Sequence, residues 1–381
     1  MIYLDNAATS WPKPPSVLAA MREFAEDWAA NPGRACHRMG IEAGQRVARA
    51  RASLAELLGA PDASRIAFTL NGTDALNMAL KGFLNEGDHV VTSTFEHNSL
   101  SRPLTGLERA GRLRVTRVAP REDLTLSPED VRRACARDTK LVAVTAVSNV
   151  FGALNDVAAL ARAAHDAGAA ILVDAAQAVG ACELDVAAAE LDMAAFPCHK
   201  GLFGPMGTGA LYVRPGLDLR PLREGGTGSR SEEETHPEEM PHRLEAGTPN
   251  AHGLAGLAAG LDFLRETGIR RVREREQSLA RDLVERLSEV RGVSVLNGRS
   301  REAQTGIVLL RVGGLASQEV AALLDARYGI AVRAGLHCAP GAHKFLGTFP
   351  EGVVRVSFGF FNEDGDAKAA ARAVAEIAEG V

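Results

Sequence analysis

Short apolar runs alternate with amphipathic stretches over the first half of the chain. Four such runs, each bounded by small or turn-forming residues, lie at 66–69, 89–92, 141–145 and 171–173. Runs of this length are typical of strands buried on both faces, and the stretches between them have the apolar spacing of helices. This alternation predicts an α/β large domain whose mainly parallel sheet is covered by helices.

The second half has a different pattern. Residues 224–244 are too polar to pack in a core and indicate a surface loop. A long helix with a charged outer face follows, and then strands and helices indicate a small α+β domain. The predicted strands lie at 305–312 and 353–358, and the predicted helices at 317–328 and 364–379. The predicted divisions are an N-terminal arm at 1–15, a large domain at 16–255 and a small domain at 256–381.

Composition excludes several classes of protein. The 381 residues carry a formal net charge of −5, which argues against a nucleic-acid-binding surface. No apolar run reaches membrane-spanning length, and the first residues do not have the pattern of a signal peptide. The five cysteines are scattered and form no Cys-x-x-Cys pair, which favours a reducing, cytoplasmic location without disulfides or a metal site.

An acid and a lysine mark the first candidate site. Asp174 ends the run at 171–173, and ligands of open α/β sheets bind beyond the carboxyl ends of strands. Lys200 precedes a glycine-rich loop at 201–209, where desolvation would lower its pKa. The pair suits pyridoxal phosphate, which needs an amine to tether it and an acid to keep its pyridine nitrogen protonated. Taken alone, such a pair is common in structural roles as well.

Two further strand ends carry candidate ligands. Gly72 and Thr73 open a helix after the run at 66–69, and N–H groups at a helix start can hold a phosphate, although an ordinary helix cap has the same pattern. His97 follows the run at 89–92 at the sheet edge where ligand sites cluster.

The strings Asp174-Ala-Ala-Gln177, His199-Lys200 and Arg333-Ala-Gly-Leu-His-Cys-Ala339 resemble the class V aminotransferase family of fold type I. Within that family they are similar to the cysteine desulfurase and selenocysteine lyase group, in particular to the SUF-type desulfurases. The resemblance extends from Tyr3 to Arg355. It implies a seven-stranded, mainly parallel sheet, a small C-terminal domain, bound pyridoxal phosphate and a homodimer with a composite active site.

The resemblance also assigns roles to residues. Lys200 would tether the cofactor, Asp174 would bind its pyridine nitrogen, and His97 would stack on its ring and handle protons. The other cofactor-binding residues would be Gln177, Gly72, Thr73, His199 and, reaching from the neighbouring subunit, Thr248. The substrate-binding residues would be Asn149, Arg355, Ala8 and Arg333.

Arg355 and Cys338 are also candidate site residues because of their residue types and local sequence patterns. In the strand at 353–358, alternation separates Arg355 from the apolar face, where it suits a carboxylate clamp or a structural salt bridge. Cys338 follows a short strand, and nearby Arg333 and His337 would favour its reactive thiolate. The alternative is a small buried thiol. Cys198, beside the lysine, is interpreted as packing.

Two positions depart from the family pattern. Pro197 replaces a Ser or Thr that often donates to the cofactor phosphate, and proline offers neither a hydroxyl nor an N–H. Leu336 replaces a histidine of the SUF-type loop. These departures raise the question of how the phosphate is held and how Cys338 is activated.

Three functions are compatible with the sequence. The first is a desulfurase that converts L-cysteine to L-alanine, collects sulfur on Cys338 as a persulfide and passes it to an acceptor protein, with selenocysteine lyase as a close alternative. The second is a class V transaminase or lyase in which Cys338 is not essential. The third is a non-catalytic partner protein that uses the loop at 224–244.

Overall fold

The computed structural model describes residues 1–33, 36–297 and 305–380. The helices of this part of the chain are α1 (Pro15–Asp27), α2 (Arg38–Leu57), α3 (Gly72–Phe83), α4 (Asn98–Arg109), α5 (Pro128–Ala134), α6 (Val157–Asp166), α7 (Ala251–Thr267), α8 (Ile269–Leu287), α9 (Ser317–Tyr328), α10 (Pro340–Phe345) and α11 (Asp364–Glu379). The strands are β1 (Ile2–Tyr3), β2 (Ile66–Thr69), β3 (His89–Ser93), β4 (Arg114–Val118), β5 (Thr139–Thr145), β6 (Ala170–Asp174), β7 (Met193–Pro197), β8 (Gly209–Val213), β9 (Val293–Val295), β10 (Ile307–Val312), β11 (Ile330–Ala331), β12 (Arg333–Gly335) and β13 (Val353–Ser357).

A seven-stranded sheet in the order β2-β8-β7-β6-β5-β3-β4 forms the centre of the large domain. All neighbouring pairs from β7 to β4 are parallel, and β8 runs antiparallel to β2 and β7. The prediction of a mainly parallel α/β sheet is confirmed. The carboxyl ends of β5, β6 and β7 therefore meet at one edge, where a ligand site is expected.

Alternation along the central strands sorts side chains into two cores. On β5, Val142 and Val144 pack with α2, α6 and α7, whereas Leu141 and Ala143 pack with α3 and α4 on the opposite face. Both faces are covered, which explains why this strand is a nearly continuous apolar run in the sequence. None of the helices in the described part of the chain is both long and apolar enough to cross a membrane.

The small domain has a four-stranded antiparallel sheet in the order β12-β13-β10-β9. Its core contains side chains of α8, α9 and α11. The N-terminal arm joins this domain, because β1 pairs in parallel with β11 and Leu4 is buried in the same core. The helices predicted at 317–328 and 364–379 are α9 and α11, with the same bounds.

The change from one core to the other occurs at Gly268. The buried residues of α7 pack in the large-domain core with α1 and α2, and those of α8 pack mainly in the small-domain core. The boundary predicted between residues 255 and 256 thus falls inside α7. The apolar face of α7 resembles that of any buried helix, so the sequence pattern does not reveal which domain it joins.

Candidate functional site

A cavity of about 220 Å³ opens at the carboxyl ends of β5, β6 and β7, between the first turns of α3 and α4. Eleven of the predicted site residues line it: Ala8, Gly72, Thr73, His97, Asn149, Asp174, Gln177, His199, Lys200, Arg333 and Arg355. Cys338 and Thr248 do not. The fold thus gathers side chains from both domains and from the N-terminal arm around one space.

Lys200 and Asp174 have the electrostatic properties that their predicted roles require. Burial lowers the pKa of Lys200 to about 8, partly offset by the charge of Asp174. Asp174 is the last residue of β6, is buried, and accepts a hydrogen bond from the N–H of Ala176 at 3.0 Å. Burial raises the pKa of Asp174. A cationic ring nitrogen beside this carboxylate would favour its ionised form, because opposite charges attract strongly in a low-dielectric site.

His97 caps the N-terminus of α4. Its Nδ1 accepts a hydrogen bond from the N–H of Ser99 at 3.1 Å and lies 2.9 Å from the Ser99 hydroxyl. Burial, followed by the charge of Lys200, lowers the pKa of His97 to about 4, so the ring is neutral near pH 7. Because Nδ1 accepts a hydrogen bond, the proton of the neutral ring belongs on Nε2.

The first turn of α3 offers a place for a phosphate. The side chain of Asn71 caps the N–H of Asp74, and the N–H groups of Gly72 and Thr73 have no partner inside the helix. A Cβ at Gly72 would lie 2.9 Å from Cδ of Pro197, so this close approach requires glycine. The Thr73 hydroxyl lies 2.7 Å from that of Ser99, at the mouth of the same cavity.

Two nitrogens of cavity-lining side chains are buried and have no hydrogen-bond partner among the described residues. They are Nδ1 of His199 and Nε of Arg355. Buried polar groups normally have a partner, so an anionic ligand is the natural complement of such a site. Together with Lys200 and Asp174, these residues fit pyridoxal phosphate and an amino-acid carboxylate.

Arg355 is almost fully buried, and its charge is balanced by a residue of the arm. Its Nη2 donates to Oδ1 of Asp5 at 2.7 Å, and its Nη1 donates to the backbone carbonyl of Asn149 at 2.9 Å. The Nδ2 of Asn149 donates in turn to the carbonyl of His337 at 2.6 Å. Sequence reasoning missed Asp5 because it lies 350 positions from its partner.

Cys338 lies at the rim of the cavity. Nη2 of Arg333, which lines the cavity, donates to Sγ of Cys338 at 3.3 Å. The expectation that His337 also supports a thiolate is wrong. The His337 ring is buried and faces His343 and the carbonyl of Arg333, and burial lowers its pKa to about 3, so it carries no positive charge near pH 7.

Thr248 is exposed and lies outside the cavity of its own chain. The turn that carries it is anchored on both sides. Glu245 forms a bidentate ion pair with Arg51 at 2.6 and 2.9 Å, and Asn250 caps α7 and donates to the carbonyl of Gly207 at 3.1 Å. The turn therefore holds Thr248 at an exposed position outside the cavity of its own chain.

The structure explains the roles of Cys198 and Pro197, which neighbour each other at the end of β7. Cys198 is fully buried, and burial raises the pKa of its thiol to about 12, which makes it unreactive. Pro197 ends β7 and packs against Gly72.

The sequence also gave no signal for Glu96, which is 2% exposed. Its Oε1 accepts hydrogen bonds from the Ser93 hydroxyl at 2.5 Å and from the N–H of Thr145 at 3.2 Å. Burial raises its pKa to about 8. A single acid next to a histidine is ordinary in a loop, and only the fold shows that it lies beneath the cavity residues.

Fold and site together define an α/β enzyme of the pyridoxal phosphate-dependent kind, fold type I. A family model described as aminotransferase class V matches residues 2–369, and the chain belongs to this family. The predicted family, fold and cofactor are thereby confirmed.

Within the family, the chain is similar to proteins named cysteine desulfurase or probable cysteine desulfurase. A probable cysteine desulfurase from Methanothermobacter thermautotrophicus is 35% identical over 99% of this chain and 94% of its own length. A cysteine desulfurase from an Enterobacter species is 37% identical over 89% of this chain and 84% of its own length. The apo structure of a cysteine desulfurase from Thermococcus onnurineus is 34% identical, with a TM-score of 0.92 over 100% of this chain and 95% of that one.

Proposed function

We propose that this protein is a pyridoxal phosphate-dependent cysteine desulfurase that converts L-cysteine to L-alanine and collects the sulfur on Cys338. The observation that carries the proposal is the hydrogen bond from Arg333, a cavity residue, to Sγ of Cys338. It places a free thiol beside a cation at the rim of a lysine site. A transaminase has no use for a thiol at this place, whereas a desulfurase requires one. The names of the similar proteins support the same activity.

The residues of the cavity divide the work. Arg355 and Asn149 hold the substrate carboxylate, with Ala8 of the arm against it. When pyridoxal phosphate is bound, Asp174 would hold its ring nitrogen, Gln177 and His97 would contact the ring, and Gly72, Thr73 and His199 would hold the phosphate. Pyridoxal phosphate supplies an electron sink for the bond-breaking at the substrate α-carbon.

Proton movements fall to Lys200 and His97. With a pKa of about 8, the Lys200 amine exists in both protonation states near neutral pH, as a group that takes and returns the α-proton requires. His97 is neutral and its Nδ1 accepts from Ser99, so its Nε2 can give a proton to the substrate amine or thiol and take one back.

Sulfur transfer balances without an external oxidant. The Cys338 thiolate attacks the substrate sulfur, the Cβ–S bond breaks, and an S–S bond forms on the enzyme. The bonding pair stays on the substrate carbon, which takes a proton and leaves as alanine. The carbon is reduced and the thiol is oxidised to a persulfide, which an acceptor thiol, such as that of an acceptor protein, must then remove.

The test compares wild type, Cys338→Ala and Cys36→Ala, an exposed cysteine that serves as the matched control. With cysteine and a reducing thiol, Cys338→Ala should lose sulfide and alanine release at least 100-fold and keep its bound cofactor, while Cys36→Ala remains active. Unchanged activity of Cys338→Ala would favour the transaminase or lyase alternative. Turnover of selenocysteine but not cysteine by wild type would favour selenocysteine lyase.

We also propose that two copies form a homodimer in which Thr248 of each contacts the cofactor phosphate of the other. The anchored turn and the exposure of Thr248 support this assignment. Leu70, two residues before Gly72, and Met206, in the loop after Lys200, are both exposed. A second copy would cover these apolar side chains. A cytoplasmic location remains a prediction.

Subunit mixing tests the composite site. Thr248→Val and Lys200→Ala should each be impaired alone, and co-expressed chains should regain activity, because one site of the mixed dimer has both residues. Failure to regain activity, or a monomeric mass in solution, would contradict the proposal.

A further inference from the structure

The thiol loop has an unusual backbone. His337 and Cys338 have φ values of +49° and +57°, and both therefore lie in the left-handed region that residues other than glycine rarely adopt. Consecutive left-handed residues persist only when surrounding contacts enforce them, and such positions concentrate at functional sites. The contacts that enforce this conformation therefore decide where Sγ of Cys338 points.

The large domain holds the two carbonyl groups of this segment. The N–H of Asn98, the first residue of α4, donates to the carbonyl of Cys338 at 2.7 Å. Nδ2 of Asn149 donates to the carbonyl of His337 at 2.6 Å. These bonds fix the two peptide oxygens against the large domain, while the His337 ring contacts other groups of the small domain.

That ring begins a buried chain of hydrogen bonds within the small domain. Nε2 of His337 lies 3.2 Å from the carbonyl of Arg333, and its Nδ1 lies 3.2 Å from Nε2 of His343. Nδ1 of His343 lies 2.8 Å from the Thr348 hydroxyl. All three side chains are at most 2% exposed, so water does not substitute for these partners.

The chain permits one arrangement of protons when both rings are neutral. The carbonyl of Arg333 can only accept, so Nε2 of His337 carries the proton and Nδ1 accepts. Nε2 of His343 must then donate to it, and Nδ1 of His343 accepts from the Thr348 hydroxyl. The Thr348 hydroxyl then donates to Nδ1 of His343 at 2.8 Å rather than to the carbonyl of His343 at 3.4 Å, and both rings have partners for both nitrogens in this arrangement.

Burial, together with neighbouring positive charges at His337, keeps the rings neutral. Burial lowers the pKa of His337 to about 3, and the positive charges of Arg355 and Arg333 act in the same direction. Burial lowers the pKa of His343 to about 4. The carbonyl of Arg333 is held by this chain while its guanidinium donates to Sγ of Cys338. One residue thus joins the imidazole chain to the thiol.

We propose that His337, His343 and Thr348 form a positioning chain that holds the backbone of Cys338 and Arg333 so that the thiol faces the substrate sulfur. This inference rests on the proposed desulfurase function. His343 and Thr348 touch neither cofactor nor substrate and act through His337. They determine how fast sulfur is transferred, and they leave cofactor attachment and substrate binding as they are.

Variants of His343 test the chain. In His343→Met an apolar side chain of similar size removes the donor to His337, and in His343→Gln the amide can donate to His337 and accept from Thr348. Thr348→Val removes the hydroxyl that donates to Nδ1 of His343. Val374→Ala, on α11 in the small-domain core, is the matched control for lost packing.

The readouts are made on the cofactor-loaded enzyme. They are kcat and KM for cysteine, the spectral change on substrate binding, and the rate at which iodoacetamide alkylates Cys338. For His343→Met we expect kcat to fall at least 10-fold and the alkylation rate to change at least 3-fold. KM and the spectral change should remain within 2-fold of wild type. His343→Gln should recover at least half of the lost kcat, and Thr348→Val should lie between the two.

Other outcomes overturn the proposal. If His343→Met behaves like Val374→Ala, with lower thermal stability but unchanged kcat and alkylation, His343 is only a packing residue. If His343→Gln is as impaired as His343→Met, hydrogen bonding is not the cause. Cys338→Ala distinguishes failure of the positioning chain from failure of the proposed function. Unchanged sulfide release by this variant would contradict the proposed function itself.

Discussion

At the scale of the residue, Lys200 illustrates how burial creates a usable amine. Its surroundings combine desolvation with the positive charges of Arg355 and Arg333, and the opposing charge of Asp174 only partly restores its affinity for a proton. The result is a lysine whose neutral form is accessible near physiological pH, which tethering of an aldehyde requires.

This property predicts how attachment of the cofactor depends on pH. When pyridoxal phosphate is added to the apo-protein, the rate of attachment should rise about tenfold per pH unit below about 8, because only the neutral amine reacts, and should level off above. The growth of visible absorbance after rapid mixing measures it. Lys140→Arg is the control and should behave as wild type. A rate that rises up to the ordinary lysine value of 10.5 would contradict the lowered pKa of Lys200.

Single residues also show what the sequence could predict. Lys200, Asp174 and Cys338 are predicted from the sequence because each combines a reactive type with a local pattern, a strand end or a loop of small residues. Asp5 and His343 have no such pattern. The role of each depends on a partner that folding brings near, Arg355 for Asp5 and His337 for His343, and no local signal records the pairing.

At the scale of the element, α10 is held unusually close to the large domain. A Cβ at Gly341 would lie 1.8 Å from the carbonyl oxygen of Thr94, in the loop between β3 and α4. Backbone atoms cannot yield as a flexible side chain does, so any other residue must push α10 away. The thiol loop directly precedes α10, and its position depends on this contact.

Gly341→Ala should therefore weaken both folding and sulfur transfer. We expect a loss of about 1–3 kcal/mol in the free energy of unfolding, the usual cost of overpacking, together with reduced sulfide release. Urea denaturation and a desulfurase assay measure the two effects. Gly106→Ala is the matched control, because its Cβ in α4 would meet nothing within 4 Å, and it should stabilise by about 0.5–1 kcal/mol. Wild-type behaviour of Gly341→Ala would show that the contact does not hold the loop.

Elements differ in how well the sequence predicts them. Four of the seven strands of the large sheet, β2, β3, β5 and β6, and the bounds of α9 and α11 follow from local apolar spacing, whereas β4, β7 and β8 are not predicted. The pairing of β1 with β11 does not, because two-residue strands carry no periodic pattern. The assignment of α7 to the large domain likewise depends on its contacts with α1 and α2.

At the scale of the whole molecule, the site is assembled across the two domains. In and around it lie histidines whose pKa values are lowered and glutamates whose pKa values are raised. His97, His199 and His343 have pKa values lowered to about 4, and His337 to about 3. Glu96 has a pKa raised to about 8. Glu276, which lines a small space together with Lys200, has a pKa raised to about 8 by burial as well.

These shifts change stability in opposite directions, over pH ranges that overlap between 4.5 and 6.5. Between about pH 4 and the ordinary histidine value of 6.5, the unfolded chain binds more protons at the four histidines, so stability falls as the pH is lowered. For the two glutamates the native state binds more protons between 4.5 and about 8, so stability falls as the pH rises through that range. The four histidines outweigh the two glutamates below 6.5, and the glutamates dominate between 6.5 and about 8, above which the lowered pKa of Lys200 acts in the opposite direction. We therefore expect a stability maximum near pH 6.5.

Glu96→Gln tests the predicted fall in stability above pH 6.5. The amide oxygen can keep the bonds from Ser93 and Thr145, and the variant has no proton to lose, so its stability should fall less steeply between pH 6.5 and 8 than that of wild type. The difference in slope should approach 1.4 kcal/mol per pH unit, the value for one proton. Urea unfolding at a series of pH values measures the slopes, with exposed Glu232→Gln as the control. Parallel curves for wild type and Glu96→Gln would mean that Glu96 is already ionised in the native protein, since only a proton held by the folded state and released on unfolding can steepen the fall in stability over this range.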